Sequence, residues 1–232
     1  NPFLGWRGIR IMLDHPEIFI TQIRALLRSN QYANNMKLML PMISDVSEVD
    51  EALAIIKKVY LELIEEGIDV PMPSVGIMIE VPSAVHQMES FAKRVDFFSI
   101  GSNDLTQYLL AVDRNNKQVA GLYDCLHPSV LRSIKYVIDI AHQHNKPVSI
   151  CGEMAGDPAS ALVLIGMGID SLSMSTGSLL RVKCVIRSFT LQQAKELADA
   201  SLTCESASDI RAMLFNALED VKLSGLVRAG IQ

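Results

Sequence analysis

Five short apolar runs alternate with longer segments in which apolar residues recur at helical spacing. Each run predicts a β-strand, and their bounds are 37–43, 75–80, 97–100, 147–151 and 169–174. Strands that are apolar at almost every position are buried on both faces, which is typical of a parallel sheet covered by helices. The pattern therefore predicts an α/β fold in one domain over residues 1–232, either an open doubly wound sheet or part of a (β/α)8 barrel.

The segments between these runs predict the helices. Residues 1–14 read as a loop that enters a helix, and further helices are predicted over 16–29, 47–66, 84–93, 105–112, 128–145, 159–167, 179–187, 191–201 and 206–223. The tail over 225–232 is predicted to be frayed. A glycine-rich dinucleotide fingerprint after the first strand is missing, which argues against a Rossmann sheet.

Composition excludes several classes of protein. The net charge of −5 argues against a general nucleic-acid-binding surface. A site for an anion would therefore need a local cluster of basic side chains. No apolar run reaches the roughly 18–20 residues that span a bilayer, so no membrane insertion is expected. The cysteines show no CxxC pair or zinc spacing, and reduced thiols in a cytoplasmic protein are expected. Because the chain starts without Met, we expect a fragment of a longer protein.

Polar side chains stand at the ends of successive predicted strands. Glu80 ends the second strand, Asn103 and Asp104 follow the third, and Cys151 ends the fourth. Ser173 and Ser175 lie at the end of the fifth. The carboxyl ends of parallel strands converge on one face, where active sites form, so we expect these side chains to meet.

A divalent cation is the simplest partner for two of these groups. The carboxylates of Glu80 and Asp104 come from adjacent strands and would repel each other without a proton or cation between them. Mg²⁺ typically takes one or two carboxylates together with substrate phosphate and water. Glu153 is a third candidate ligand. The alternative is that one of these carboxylates only caps a loop.

Arg7 and Arg114 are candidate clamps for an anion, because guanidinium groups bind phosphate or carboxylate in bidentate fashion. Asn103 is a candidate donor to the same anion, and Arg10 is a weaker candidate. We expect Arg7 to be held by a packed aromatic residue beside Gly5-Trp6. The alternative for residues 97–114 is an ordinary strand–helix loop capped by Asn or Asp.

Cys151 admits two interpretations. A buried structural cysteine is the commoner case. At the functional end of a strand, however, a thiol can act as nucleophile or general acid. The remaining cysteines, Cys125, Cys184 and Cys204, look structural.

Four segments together carry a resemblance to a known family. Residues 1–10 (NPFLGWRGIR), 76–83 (GIMIEVPS), 97–114 and 151–156 (CGEMAG) resemble the C-terminal, phosphoenolpyruvate-binding domain of Enzyme I of the bacterial phosphotransferase system. Residues 14–19, 127–131 and 154–158 and the GLVRAG ending look most like the nitrogen-type form of that family.

The resemblance implies a (β/α)8 TIM barrel that binds phosphoenolpyruvate (PEP) and Mg²⁺ and forms homodimers. Glu80 and Asp104 match the metal ligands of the family. Asn103, Asp104, Arg7 and Arg114 match substrate-binding positions. Cys151 matches the proton donor that converts the enolate of pyruvate to pyruvate.

The resemblance also implies parts that this chain does not contain. In the family, a histidine of an N-terminal domain receives the phosphoryl group and passes it to an HPr-type phosphocarrier. Three barrel strands, with a further phosphate-binding arginine, precede the segment that matches 1–10. We therefore expect the last five β/α units of the barrel, as an open half-barrel or one completed by self-association, unable to phosphorylate itself.

Two other functions remain open. One is a Mg²⁺-dependent lyase or aldolase that acts on pyruvate or its enolate on a TIM barrel. The other is a catalytically inert dimerisation module.

Overall fold

The computed structural model describes residues 1–228, and the side chains of all of these except residues 33, 227 and 228. The predicted frayed tail lies partly outside these residues. The part within them forms a helical turn, Gly225–Arg228, where a frayed tail was predicted.

The described residues form one parallel sheet of five strands whose spatial order is the chain order. The strands are β1 (Lys37–Leu40), β2 (Ser74–Ile79), β3 (Phe97–Gly101), β4 (Val148–Cys151) and β5 (Ser171–Leu172). The predicted α/β class and parallel sheet are confirmed. Side chains of the central strands, such as Ile77, Phe98 and Ile150, are fully buried because helices cover the sheet.

The helices follow the strands as the pattern predicts. They are α1 (Ile9–Asp14), α2 (Pro16–Ala33), α3 (Val46–Glu65), α4 (Pro82–Val85), α5 (Met88–Phe91), α6 (Ser102–Leu110), α7 (Pro128–Gln143), α8 (Glu153–Gly156), α9 (Pro158–Gly166), α10 (Thr176–Ser188), α11 (Leu191–Thr203), α12 (Ala207–Asp220) and α13 (Gly225–Arg228). Turns of 3-10 helix occur at Pro2–Leu4 and Ala120–Leu122. Within residues 1–228, none of the helices combines the length and hydrophobicity needed to cross a membrane.

Several boundaries differ from the prediction, and three of these differences are informative. β1 ends at Leu40 because Pro41 has no N–H to donate and Met42 turns to φ +61°. β5 is only two residues long because it pairs with β4 only over that span. The predicted helix over 84–93 is two short helices, and the break falls at Gln87, whose side chain donates to Ser44 O (2.9 Å).

Helices α9 and α11 approach closely at Gly166. A Cβ there would lie 2.0 Å from Ala194 O and 2.8 Å from Ala198 Cβ, so any larger residue forces the helices apart. We expect Gly166→Ala to lower the free energy of unfolding by about 2 kcal/mol, measured by urea denaturation. Gly177→Ala is the matched control, because open space surrounds Gly177 within the described part of the chain. Equal stability of the two variants would contradict the prediction.

Candidate active site

The carboxyl ends of β2, β3 and β4 bring the polar side chains together. The parallel register sets Ile79 beside Ile100 and Gly101 beside Cys151. Glu80 therefore leaves β2 next to the turn that carries Asn103 and Asp104. Glu80 and Asp104 are both almost fully buried, at 3% and 6% exposure. Buried carboxylates require partners, so this edge of the sheet is the strongest candidate site in the described residues.

The turn after β3 is not an Asx-capped loop, the alternative left open above. Helix α6 begins at Ser102, and its N-cap is Gly101, which has no side chain to form a cap. Asn103 and Asp104 lie in the first helical turn. The Oδ1 atom of Asn103 accepts a hydrogen bond from Glu153 N (3.1 Å). This contact uses the amide oxygen and leaves the NH₂ group of Asn103 as a donor.

A glycine allows the loops after β3 and β4 to lock together. Ser102 Oγ donates to Cys151 O at 2.6 Å. Gly152 has φ +97°, and a Cβ at that position would lie 2.4 Å from Ser102 Oγ and 2.8 Å from Asn103 Oδ1. Only glycine combines this backbone conformation with so close an approach. The loop contact fixes Asn103 and Cys151 relative to each other.

Two guanidinium groups converge on Asp104. Arg7 Nη2 donates to Asp104 Oδ2 at 2.9 Å, and Arg114 Nη2 lies 3.5 Å from Asp104 Oδ1. Within residues 1–228, Asp104 Oδ1 and Arg114 Nη1 are buried without a hydrogen-bond partner. Buried polar atoms are seldom left without a hydrogen bond, so both atoms can take a partner from outside the described chain, besides the long ion pair between Asp104 Oδ1 and Arg114 Nη2. A cation fits the first and an anion fits the second.

The Glu80 carboxyl group is held in place by an unusual backbone turn. Met42 adopts φ +61° and donates its N–H to Glu80 Oε1 at 2.7 Å. The pKa of Glu80 is raised to about 7, chiefly by burial and in smaller part by the charge of Asp104, against the Met42 hydrogen bond and Arg7, which lower it. Burial and the neighbouring charge of Asp104 thus disfavour the ionised carboxylate, and a bound cation would favour it again.

Glu80 and Asp104 fit a Mg²⁺ ion whose remaining ligands come from outside the protein. Among the described side chains, no group of three or more His, Cys, Asp or Glu residues is arranged to hold a metal ion. Glu153, the third candidate ligand, is exposed and forms no such group with Glu80 and Asp104. Two carboxylates suit Mg²⁺, which takes its remaining ligands from water and phosphate oxygens.

The thiol of Cys151 faces a cavity of ≈ 730 Å³ that Asn103 also lines. Burial raises the pKa of Cys151, and the charges of Glu80 and Asp104 raise it further, while a hydrogen bond with Ser99 lowers it. The group therefore stays a protonated thiol near neutral pH. Such a thiol suits a proton donor better than a nucleophile, which must be a thiolate.

Some candidates named from the sequence lie elsewhere. Arg10 Nη1 donates to Gly5 O (3.1 Å) and thus supports the loop before α1. The aromatic residue that contacts Arg7 is Phe3, not Trp6 as expected. Trp6 is 57% exposed, and its indole N–H donates to Asp14 at 2.7 Å.

Sequence reasoning missed the residues that act through their backbone or packing. These are Phe3, whose ring contacts both arginines; Met42, whose N–H binds Glu80; and Tyr108, whose hydroxyl donates to Phe3 O. It also gave Cys125 no place at the site, although Cys125 lines the same cavity as Cys151, and burial raises its pKa to about 11. The one sequence feature that could have indicated this is the position of Cys125 in the loop before α7.

Residues 1–191 match the model of one protein family, described as "PEP-utilising enzyme, PEP-binding domain". The chain belongs to this family. All the site residues described above, from Arg7 to Cys151, fall within the matched segment. The family resemblance drawn from the sequence is thereby confirmed.

Relatives of this PEP-binding domain carry names of the phosphotransferase system. The chain is 46% identical over its whole length to a "Phosphoenolpyruvate-dependent phosphotransferase system" protein of Salmonella typhimurium and 47% identical to one of Escherichia coli. It is 49% identical over 92% of its length to a "Phosphoenolpyruvate-protein phosphotransferase" of Haemophilus influenzae. The chain covers 31% of each of the first two relatives and 37% of the third.

Solved structures show the fold of this PEP-binding domain to be that of the TIM-barrel family. A citrate lyase from Burkholderia xenovorans matches with a TM-score of 0.53 at 16% identity, covering 90% of this chain and 72% of that one. An HpcH/Hpal aldolase/citrate lyase family protein from Burkholderia cenocepacia matches with a TM-score of 0.50 at 17% identity, covering 76% and 70%. At such identities the likeness concerns fold alone.

The raised pKa of Glu80 predicts how the stability of the domain depends on pH in EDTA. Above the ordinary pKa of 4.5 the unfolded state releases this proton, whereas the folded state keeps it until about pH 7. The folded state binds more protons in this window, so stability falls as the pH rises through it, by up to about 3 kcal/mol. Urea denaturation at pH 5, 6 and 7.5 measures the slope.

Glu80→Gln removes this contribution while keeping an oxygen that accepts from Met42 N. The exposed Glu51→Gln serves as control, because it removes a carboxylate of the same chemistry from the surface of α3. We expect Glu80→Gln to flatten the slope and Glu51→Gln to leave it unchanged. Parallel slopes for wild type and Glu80→Gln would contradict the assignment.

Proposed function

We propose that the chain is one domain that binds PEP and Mg²⁺ and forms the catalytic domain of a PEP–protein phosphotransferase. In this reaction the phosphoryl group of PEP passes to a histidine, and pyruvate is released. The observation that carries the proposal is the pair of buried atoms, Asp104 Oδ1 and Arg114 Nη1, that have no hydrogen-bond partner within residues 1–228. One is an acceptor for a cation and the other a donor for an anion, and both lie at the carboxyl edge of the sheet.

Arg7, Arg114 and Asn103 would hold the charged groups of PEP. Each guanidinium group presents paired N–H donors that match the oxygens of phosphate or carboxylate, and Asn103 adds its amide NH₂ group. Phosphoryl transfer needs little covalent help from the protein. Fixed positive charge around the transferred group therefore supplies most of the catalysis.

Glu80 and Asp104 would hold the Mg²⁺ ion. When bound, the ion neutralises negative charge on the phosphoryl and enolate oxygens and orients the substrate. Asp104 also touches both arginines, so it joins the cation side of the site to the anion side.

Cys151 would complete the reaction as proton donor. When the bond between phosphorus and the enol oxygen breaks, the phosphoryl group goes to the acceptor histidine and the electron pair stays on the enolate. The Cys151 thiol then gives its proton to the methylene carbon, which makes the methyl group of pyruvate. The thiolate regains a proton from water. The raised pKa of Cys151 keeps the proton available for this step.

The partners of the reaction are part of the proposal. The names of the relatives support PEP as substrate and a protein as phosphoryl acceptor. From the family resemblance we further propose an acceptor histidine in another domain, an HPr-type phosphocarrier and a cytoplasmic location. We also propose a homodimer and the nitrogen-type branch of the family. Light scattering tests the dimer, and a concentration-independent monomer mass would overturn it.

Calorimetric titration of the chain with PEP, with Mg²⁺ or with EDTA, tests the binding function. We expect saturable binding with Mg²⁺ and much weaker binding in EDTA, together with a rise in thermal midpoint, because a ligand of the native state stabilises it. The absence of both heat and thermal shift would favour the inert dimerisation module.

The lyase or aldolase alternative is the weaker one. It is supported only by structural similarity at 16–17% identity, whereas relatives at 46–49% identity are named for phosphotransfer. The two functions differ in one requirement. Release of pyruvate from PEP that depends on an added histidine domain supports the phosphotransferase. Cleavage of a carbon–carbon bond in a 2-oxo acid without that domain would support the lyase.

A further inference from the structure

The two arginines of the site share one aromatic neighbour. The Arg7 guanidinium carbon lies 5.7 Å from the centre of the Phe3 ring, and that of Arg114 lies 5.3 Å from it. Both distances are within the range of about 6 Å in which a ring attracts a cation. Arg7 precedes α1 and Arg114 follows α6, so residues 107 positions apart in the chain meet at this ring.

Several hydrogen bonds hold Phe3 in place. Its N–H donates to Asn1 Oδ1 at 2.9 Å, and its carbonyl oxygen accepts from the hydroxyl of Tyr108 on α6. Asn1 Nδ2 in turn donates to Asp113 Oδ2 at 3.1 Å, next to Arg114. Burial raises the pKa of Tyr108, so its hydroxyl remains a donor near neutral pH. The ring is therefore fixed both to α6 and to the turn that carries Arg114.

An aromatic ring is a suitable neighbour for arginines that bind an anion. A carboxylate would occupy the N–H donors of a guanidinium group and cancel its charge. A ring attracts the cation through its negative π-face and leaves in-plane N–H donors for another ligand. Arg114 Nη1 is such a donor, buried without a hydrogen-bond partner in the described chain.

We propose that Phe3 is a positioning residue that holds Arg7 and Arg114 at a fixed spacing, so that both can bind one phosphate-bearing substrate. The proposal rests on the proposed function and names the element that prepares the site for an oxyanion. Asp104 pairs with the same arginines, but a cation bound there would draw it away from them. The Phe3 ring has no charge to lose, so it holds both arginines before and after the ligands bind.

The test compares Phe3→Leu, which keeps an apolar side chain without a π-face, with Phe3→Tyr, which keeps the ring. We expect Phe3→Leu to weaken PEP binding in the presence of Mg²⁺ by about 10-fold, since it loses two cation–π contacts. Phe3→Tyr should bind within about threefold of wild type on the same reasoning. Leu4→Ala, in the same 3-10 turn and 67% exposed, is the control and should bind as wild type does.

Two measurements separate positioning from a general structural role. The urea midpoint of Phe3→Leu should stay near that of wild type. In the ligand-free chain, NMR should show side-chain protons of Arg7 and Arg114 shifted by the ring current in wild type and Phe3→Tyr, but not in Phe3→Leu. Weaker binding matched by an equal loss of stability in both Phe3 variants would overturn the proposal.

The outcomes also distinguish this inference from the proposed function. If wild type binds PEP and Phe3→Leu binds it equally well, the positioning role is wrong and the proposed function stands. If wild type does not bind PEP, the proposed function fails, and the comparison is repeated with inorganic phosphate. A Phe3→Leu loss with phosphate would still support positioning. If wild type binds neither PEP nor phosphate, both ideas are overturned.

Discussion

Replacing Cys151 with alanine is expected to slow proton transfer at the methyl carbon of pyruvate by about 10²- to 10⁴-fold, the usual contribution of a positioned acid or base. The reverse step, removal of a proton from the methyl group of pyruvate, needs no phosphoryl acceptor. In this direction the Cys151 thiolate removes a proton from bound pyruvate, which becomes the enolate, and the thiol then exchanges with solvent. Proton NMR of pyruvate in D₂O with Mg²⁺ therefore follows the step in the chain as it stands.

The controls for this experiment come from the same chain. Cys184 is exposed on α10, so Cys184→Ala should leave the exchange rate unchanged. Because the pKa of Cys151 is raised above the ordinary 9.0, the wild-type exchange rate should still be rising at pH 9. PEP binding by Cys151→Ala should stay close to that of wild type. Full exchange activity in Cys151→Ala would remove the thiol from the mechanism.

Arg114→Ala is expected to weaken PEP binding by roughly 100- to 1,000-fold, or about 3–4 kcal/mol. The substitution removes the buried donor Nη1 and the second cation beside Asp104. Arg114→Lys keeps the charge but not the planar pair of donors, so it should recover only part of the loss. Calorimetric titration with PEP and Mg²⁺ measures both variants.

Arg187→Ala is the matched control, because Arg187 is exposed in the last turn of α10 and its loss should not alter binding. The size of the loss in PEP affinity on Arg114→Ala also distinguishes a direct contact with the substrate from a role in stabilising the fold. Asp104 keeps its 2.9 Å ion pair with Arg7 in the variant, so the fold should survive. Unchanged PEP affinity in a folded Arg114→Ala chain would contradict the proposed role.

The sheet was predictable because burial on both faces leaves a direct trace in sequence. Continuous apolar runs gave the five parallel strands, and convergence of their carboxyl ends brought Glu80, Asp104 and Cys151 together as expected. What failed depended on tertiary contacts. The length of β5 follows from its limited pairing with β4, which no local pattern records.

The supporting residues of the site were harder to foresee for a related reason. Met42 is not a glycine, yet it adopts φ +61° and aims its N–H at Glu80, and nothing in an apolar run signals this. Trp6 is the larger aromatic and the nearer one in sequence to Arg7, but Phe3 makes the contact. Residue type and spacing in the sequence identify the reacting groups. The residues that hold these groups in position are determined by backbone turns and tertiary packing, which the sequence pattern does not record.

The identity of strand order and chain order has a consequence for how the protein reaches its native state. Each strand pairs with the strand that precedes it in the chain, so no contact of the sheet skips a strand and the chain can fold progressively from its amino end. Arg7, Glu80, Arg114 and Cys151 enter in that order as the sheet grows. The binding site is complete only when β4 has paired with the sheet, so a ligand can bind only from that step onwards. A substrate analogue added during refolding should therefore leave the early steps unchanged and slow only unfolding.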